Sequence, residues 1–221
     1  MHPYHTVIFD LDGTLLNTLM DLTDSVNYAL SLHSLPTRTV EEIRTFVGNG
    51  VGQLVHRAVP EGTSEELEAR CLADFRAHYL LNMEHKTAPY PGILELLDAL
   101  REAGLSLAIV SNKFDGAVKG LCHTYFSPRI PIAAAIGESQ GVLRKPAPDT
   151  VFRALAELGV SSQGAVYVGD SDVDIQTAHN AGLPCISVSW GFRSRAFLAD
   201  HGASTIVDTP AALQRLLLGE E

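Results

Sequence analysis

Apolar and polar positions alternate along this chain in two textures. From about Ile93 onward, short apolar runs recur: LSLAIV (105–110), AAAI (133–136), AVYV (165–168), CISVS (185–189) and TIV (205–207). Runs of this length without polar alternation read as strands buried on both faces. Helical periods lie between them. The spacing predicts a helix over 92–103 that stops at Gly104 and one over 172–181 that stops at Gly182, where a left-handed glycine would close each helix. Pro148 fits the first turn of another. Val7, Ile8 and Phe9 form one more apolar run near the start, and it drives straight into Asp10. Strand–helix alternation of this kind predicts an α/β fold, a doubly wound, Rossmann-like parallel sheet with helices on both faces.

Residues 18–86 read differently. No strand pattern occurs there, and helices are expected over about 18–33, 39–47, 51–58 and 64–81. Thr39 with Glu42 and Thr63 with Glu66 have the spacing of capping boxes. TAPYPG (87–92) then returns the chain to the strand–helix texture. The simplest organisation is a core of residues 1–17 and 87–221 with an all-helical cap, 18–86, inserted after the first strand.

Composition narrows the function. The 221 residues are 46% hydrophobic and 19% charged, enough apolar mass for a real core. A formal net charge of -10 argues against a nucleic-acid surface, which needs a basic stripe. An anionic substrate would therefore be met by a few local cations. Three cysteines, Cys71, Cys122 and Cys185, stand far apart with no CxxC, which suits a reducing compartment and neither a disulfide framework nor a zinc site. There is no basic leader followed by an apolar run, and no uncharged apolar stretch approaches the roughly 18 residues of a membrane span. A cytoplasmic monomer or homodimer, with no membrane or nucleic-acid partner, is the expectation.

In a doubly wound sheet, ligands bind beyond the carboxyl ends of the strands. The residues just past each strand are therefore the candidates for chemistry. The first strand leads into Asp10-Leu11-Asp12-Gly13-Thr14, the second into Ser111-Asn112-Lys113, the third into a loop reaching Arg144-Lys145-Pro146, and the fourth into Gly169-Asp170-Ser171-Asp172-Val173-Asp174. Carboxylates, a hydroxyl and a lysine would converge on one rim. Hard oxygen ligands suit Mg²⁺, and a lysine beside them suits a phosphate.

DxDGT, Ser-Asn, Lys-Pro and GDSxxD, in this order over residues 10–174, resemble the motifs of the haloacid dehalogenase superfamily of phosphohydrolases. The resemblance implies Mg²⁺ as cofactor and a small phosphate ester as substrate. It implies Asp10 as nucleophile and metal ligand, and Asp12 as general acid and base with its main-chain carbonyl on the metal. Ser111 would hold a phosphoryl oxygen and Lys145 would neutralise charge. Asp170 would complete the metal shell, with Asp174 positioning it. Gly13, Thr14 and Asn112 would belong to the phosphate-binding loops. An acid at position 12 is what phosphatases and mutases of that superfamily carry, whereas dehalogenases replace it.

Other readings compete. Asn112 and Lys113 can be ordinary loop residues. DSDVD (170–174) mimics a calcium loop, but Ile175 and Ala181 stand where such a loop needs Gly and Glu. Gly137-Glu138-Ser139-Gln140-Gly141 matches the GxSxG of serine esterases, yet Pro146 and Pro148 leave no room for the helix that motif needs after Ser139. Receiver domains share these residue types in a different order and a shorter chain. A sugar-phosphate mutase or a pyrophosphatase of the same superfamily remains an alternative.

FVGNGVGQLVHRAV (46–59) places Gly48, Asn49 and Gly50 between two helices. The turn, and SWGF (189–192), resemble the phosphoglycolate phosphatase branch, which implies 2-phosphoglycolate as substrate and Gly48, Asn49 and Gly50 as its substrate loop. No arginine lies between Phe46 and Leu54 to hold a second phosphate, as mutases of the superfamily usually have. Trp190 and Phe192 are expected to pack the sheet edge. His56 and His179 are expected to be solvated, and Arg44 and Arg57 are cap cations within reach of a substrate carboxylate.

Overall fold

The computed structural model describes residues 3–127 and 132–220. Strand β1 (Thr6–Phe9) and the short β2 (Leu16–Asn17) lead into helices α1 (Leu19–Leu32), α2 (Val40–Phe46), α3 (Gly50–Ala58) and α4 (Glu65–Asn82), and then β3 (Ala88–Pro89). Strands and helices alternate from there. They are α5 (Ile93–Glu102), β4 (Ser106–Phe114), α6 (Asp115–Tyr125), β5 (Ala134–Glu138), α7 (Asp149–Leu158), β6 (Ala165–Gly169), α8 (Asp172–Ala181), β7 (Cys185–Val188), α9 (Arg195–Asp200), β8 (Ile206–Val207) and α10 (Pro210–Leu218).

Six strands form one parallel sheet in the order β5-β4-β1-β6-β7-β8. β1 lies near the middle because its apolar run is buried on both faces. Val7 and Phe9 face one core cluster, and Ile8 faces the other, beside Val110, Val151 and Tyr167. The chain passes from β1 to β4 and β5 on one side, then crosses to β6 on the other. The carboxyl end of β1 is thus the switch point at which a crevice opens.

The helices α1 to α4 pack chiefly on one another, with α3 also reaching β4. Their two connections to the sheet are tied together. β2 pairs antiparallel with β3, Leu16 opposite Pro89, and the buried Asp21 carboxylate accepts the backbone N–H groups of Lys86 and Thr87 at 2.8–3.0 Å.

Several expected boundaries shift. The strand expected over 105–110 runs on to Phe114, with an irregular register between Val110 and Phe114. It carries Ser111, Asn112 and Lys113 as buried residues, because the site satisfies each of them. The strand expected over 133–136 is β5, which includes Gly137 and Glu138. Thr39 and Glu42 form the expected capping box, but Thr63 and Glu66 do not. Ser64 caps α4 by accepting from Leu67 N–H, while the Thr63 hydroxyl donates to Pro60 O. Helices α6 and α9 fill gaps where the strand–helix alternation places helices without bounds, while the β2–β3 ribbon and α10 have no counterpart in the sequence pattern.

Candidate active site

Where β1 ends, Asp10 is 7% exposed at the floor of a pocket. A carboxylate there needs a partner. Lys145 supplies it, with Nζ 2.8 Å from Asp10 Oδ1 and 2.8 Å from Asp174 Oδ1. The Tyr167 hydroxyl stands 3.0 Å from both Lys145 Nζ and Asp174 Oδ1. Burial works against the charge on Lys145, but Asp10 and Asp174 outweigh it and lift its pKa well above the ordinary lysine value. Lys145 therefore stays a cation under its three neighbours.

Asp170 and Asp174 are set by the start of α8. Ser171 is its N-cap, and Asp174 Oδ2 accepts the Ser171 N–H at 3.1 Å and its hydroxyl at 2.6 Å. Both Asp174 oxygens are thus engaged. Asp170 accepts from Thr14 Oγ1 at 3.3 Å and from Phe192 N–H at 2.6 Å. A Cβ at Gly13 or at Gly191 would overlap the Asp170 side chain, so the carboxylate lies in a cradle that only glycines permit. Asp12 is held differently. Its Oδ1 accepts from Thr18 Oγ1 at 2.6 Å, and its Oδ2 lies 3.0 Å from Lys113 Nζ.

One oxygen from each of Asp10, Asp170 and Asp174 lies within 4.8 Å of the others. Burial pushes Asp10 from 3.8 up to about 7, against the pull of Lys145 and with Asp174 and Asp12 adding to the rise. Burial and the charges of Asp174 and Asp10 lift Asp170 well above its ordinary value. Lys145 and Lys113 face four carboxylates, Asp10, Asp12, Asp170 and Asp174, and with Arg193 acting on Asp170 the acids still outnumber the cations when all are ionised. A site of this balance can take up a divalent cation through oxygen.

Two segments roof the pocket. Val47, Gly48, Gly50, Val51 and Leu54 come from the turn before α3 and its first turns. Phe192 and Arg193 come from the loop after β7. Asn112 joins roof to floor: its amide nitrogen donates to Gly48 O and Lys145 O at 3.0 Å, and its oxygen accepts from Lys145 N–H at 2.8 Å.

A family model described as haloacid dehalogenase-like hydrolase matches residues 7–188. The chain belongs to the haloacid dehalogenase-like hydrolase family. A phosphoglycolate phosphatase of Rhodospirillum rubrum is 36% identical over 215 residues, covering 94% of this chain and 88% of its own length. A candidate phosphoglycolate phosphatase from Lactobacillus delbrueckii subsp. bulgaricus superposes with a TM-score of 0.92 at 40% identity, covering 100% of both chains. CbbY from Rhodobacter sphaeroides, solved in complex with phosphate, superposes with a TM-score of 0.77 at 26% identity over 95% of this chain and 96% of its own. This hydrolase is a phosphatase, a phosphoric monoester hydrolase.

The hydrolase brings Asp10, Asp12, Ser111, Asn112, Lys145 and Asp170 to one pocket, with Asp174 behind Lys145 and Gly13 and Thr14 behind Asp170. Gly48 and Gly50 line the roof, but Asn49 does not. Its side-chain oxygen accepts from Arg57 at 2.9 Å. Arg57 is spent on Asn49 and Phe46 O, Arg44 pairs with Glu41, and His56 meets Glu68 at 2.9 Å, so none of these lines the pocket. His179 is exposed on α8. No helix follows Ser139 before α7, which removes the esterase elbow.

Four contributions went unrecognised in the sequence. Lys113 is buried against Asp12 and is no loop residue. Tyr167 read as one more apolar strand position. Trp190 and Phe192 do more than pack an edge, since Trp190 Nε1 donates to Thr14 O at 3.0 Å and Phe192 N–H holds Asp170. Arg193 donates to the carbonyls of Arg44, Thr45 and Val47 at 2.7–3.3 Å, fastening the end of α2 over the pocket. Only the polar tripeptide after LAIV and the SWGFR cluster hinted at any of them.

Proposed function

We propose that this phosphatase is a Mg²⁺-dependent phosphomonoesterase that acts on 2-phosphoglycolate through a phosphoryl group carried by Asp10. The observation that supports this most is the buried Asp10 carboxylate, 2.8 Å from Lys145 and grouped with Asp170 and Asp174 within 4.8 Å. The donor set fits Mg²⁺, because the cluster is all carboxylate and, once ionised, carries more negative charge than Lys145 offsets. Asp10 and Asp170, with the Asp12 main-chain carbonyl, would hold it. Asp174 would stay outside, since Lys145, Tyr167 and Ser171 already occupy its oxygens. Bound there, Mg²⁺ would offset the charge of the phosphoryl oxygens.

In this reading an Asp10 oxygen attacks phosphorus, and the bond to the leaving oxygen breaks as that oxygen takes a proton from Asp12. Water then attacks the same phosphorus and returns a proton to Asp12. The bond to Asp10 breaks and phosphate leaves. Lys145 draws Asp10 toward its ionised form and holds it in place beneath the incoming phosphate, and the Ser111 hydroxyl holds a phosphoryl oxygen.

The substrate assignment draws on the relatives and on the roof. We read the helices of residues 18–86 as a cap over the pocket. The first N–H groups of α3 have no intrahelical acceptor, and Asn49 gives them no side-chain cap because Arg57 holds its oxygen. Gly50 and Val51 carry that first turn to the pocket wall, which suits a small carboxylate. Arg193 is committed to three carbonyls, so it is no free holder for a second phosphate. That favours hydrolysis over mutase chemistry.

The test is steady-state turnover of 2-phosphoglycolate by the wild type and Asp10→Asn, with EDTA and with restored Mg²⁺. Asp10→Asn should fold and lose turnover, and EDTA should abolish wild-type activity reversibly. Full activity in chelated buffer, or near-wild-type rates in folded Asp10→Asn, would refute the mechanism.

A further inference from the structure

We propose that Lys113 is a positioning residue for Asp12, holding its carboxyl for proton delivery to the leaving group. The inference rests on the reading of Asp12 as general acid and base.

The two buried lysines are sorted between the carboxylates. Lys145 serves Asp10 and Asp174, while Lys113 serves Asp12 at 3.0 Å. The Lys113 side chain is 2% exposed and that of Asp12 12%, so the pair is nearly out of water. An ammonium buried at that depth is costly unless the pair is well held. It is held: Nζ lies 4.5 Å over the Tyr79 ring, and the Lys113 amide donates to Ser111 Oγ at 3.2 Å. Packing thus fixes where the ammonium stands, and the ammonium fixes Asp12 Oδ2.

Among the described residues, the other oxygen, Oδ1, meets only the neutral hydroxyl of Thr18. A hydroxyl can rotate away at low cost, whereas a buried ion pair separates only at high cost. Oδ1 is therefore the oxygen free to exchange a proton. As the ester bond breaks, its electron pair goes to the leaving oxygen, which takes the Oδ1 proton and leaves Asp12 as a carboxylate beside Lys113. When water attacks the phosphorylated Asp10, its proton returns to Oδ1. Lys113 keeps its own protons throughout.

This role separates esters by their leaving groups. An alkyl leaving oxygen needs the proton, and a nitrophenolate does not. The first turnover of Lys113→Met and Asp12→Asn is followed in rapid-quench experiments with Mg²⁺, using 2-phosphoglycolate and p-nitrophenyl phosphate. Lys113→Met should slow the alkyl ester by about 10²-fold and leave nitrophenol release within a few-fold of wild type. KM should hold steady. Lys113→Arg keeps the charge in altered geometry and should show a smaller difference between the two esters, which also covers the case of a poorly folding Met variant. Equal loss on both esters would overturn the proposal, because packing alone would do that. A rise in KM specific to the carboxylate-bearing ester would overturn it too, since Lys113 would then bind substrate. If Asp12→Asn discriminates between the esters and Lys113→Met does not, Lys113 fails alone. If neither discriminates, the reading of Asp12 falls with it.

Discussion

Residue by residue, the pocket floor is a store of unfavourable charge. Burial lifts Asp10 from 3.8 to about 7, and Asp170 moves in the same direction. In the metal-free protein the unfolded chain therefore releases the Asp10 proton first as pH rises, so the native state binds more protons and stability falls between about pH 4 and about pH 7. A divalent cation at the same oxygens offsets that loss only where the carboxylates are ionised. Thermal unfolding should accordingly show a metal-free Tm lower at pH 8 than at pH 5, and a Mg²⁺-induced rise larger at pH 8. A Mg²⁺ shift that is the same at both pH values would contradict this account of the cluster.

Among the elements, the joint between α2 and the loop after β7 connects the glycine turn before α3 to the carboxylate cluster. Arg193 clasps the carbonyls of Arg44, Thr45 and Val47, and the neighbouring Phe192 N–H holds Asp170. These three bonds are part-buried or exposed, so each contributes only about 0.5 kcal/mol. Arg193→Ala should lower kcat/KM for the small substrate about ten-fold or more, since α2 and the glycine turn lose their fastening over the pocket. Tm should move by only a few degrees, because α1 to α4 keep their contacts with one another. Steady-state kinetics beside a thermal melt separates the two effects. A large loss of Tm with unchanged kcat/KM would make Arg193 a purely structural clasp.

At the scale of the molecule, the site lies at a topological switch point and under a helical roof. No helix of the described residues is long and apolar enough to cross a membrane. The net charge of -10 repels polyanions at long range, and residues 47–54 stand over the pocket. Small phosphate esters should therefore be turned over far better than phosphopeptides or nucleic-acid ends. A comparison of kcat/KM for 2-phosphoglycolate, glucose 1-phosphate, pyrophosphate and a phosphopeptide measures this. Conversion of glucose 1-phosphate to its 6-phosphate isomer would favour a mutase, and efficient phosphopeptide turnover would contradict the proposed cap.

Local pattern determined a great deal. The VIF run before Asp10, the strand–helix alternation after Ile93 and the Thr39–Glu42 capping box each act over a few residues, so their physics is written in neighbouring positions. The same holds for Asp170 and Asp174, which one helix start presents together. Tertiary structure decided the rest, because the partners are far apart in the chain. Trp190 reaches Thr14 across 176 positions, Arg193 reaches Arg44 across 149, and Asn112 joins Gly48 to Lys145. Lys113 looked like a loop residue because nothing near it in sequence accounts for a buried ammonium. Its reason is Asp12, brought beside it when β1 and β4 pair. Asn49 read as part of a loop because it stands between two glycines, and only the fold brings Arg57, at the far end of α3, to its side-chain oxygen. Spacing along a chain shows which residues can act. Only packing decides which charges must answer one another.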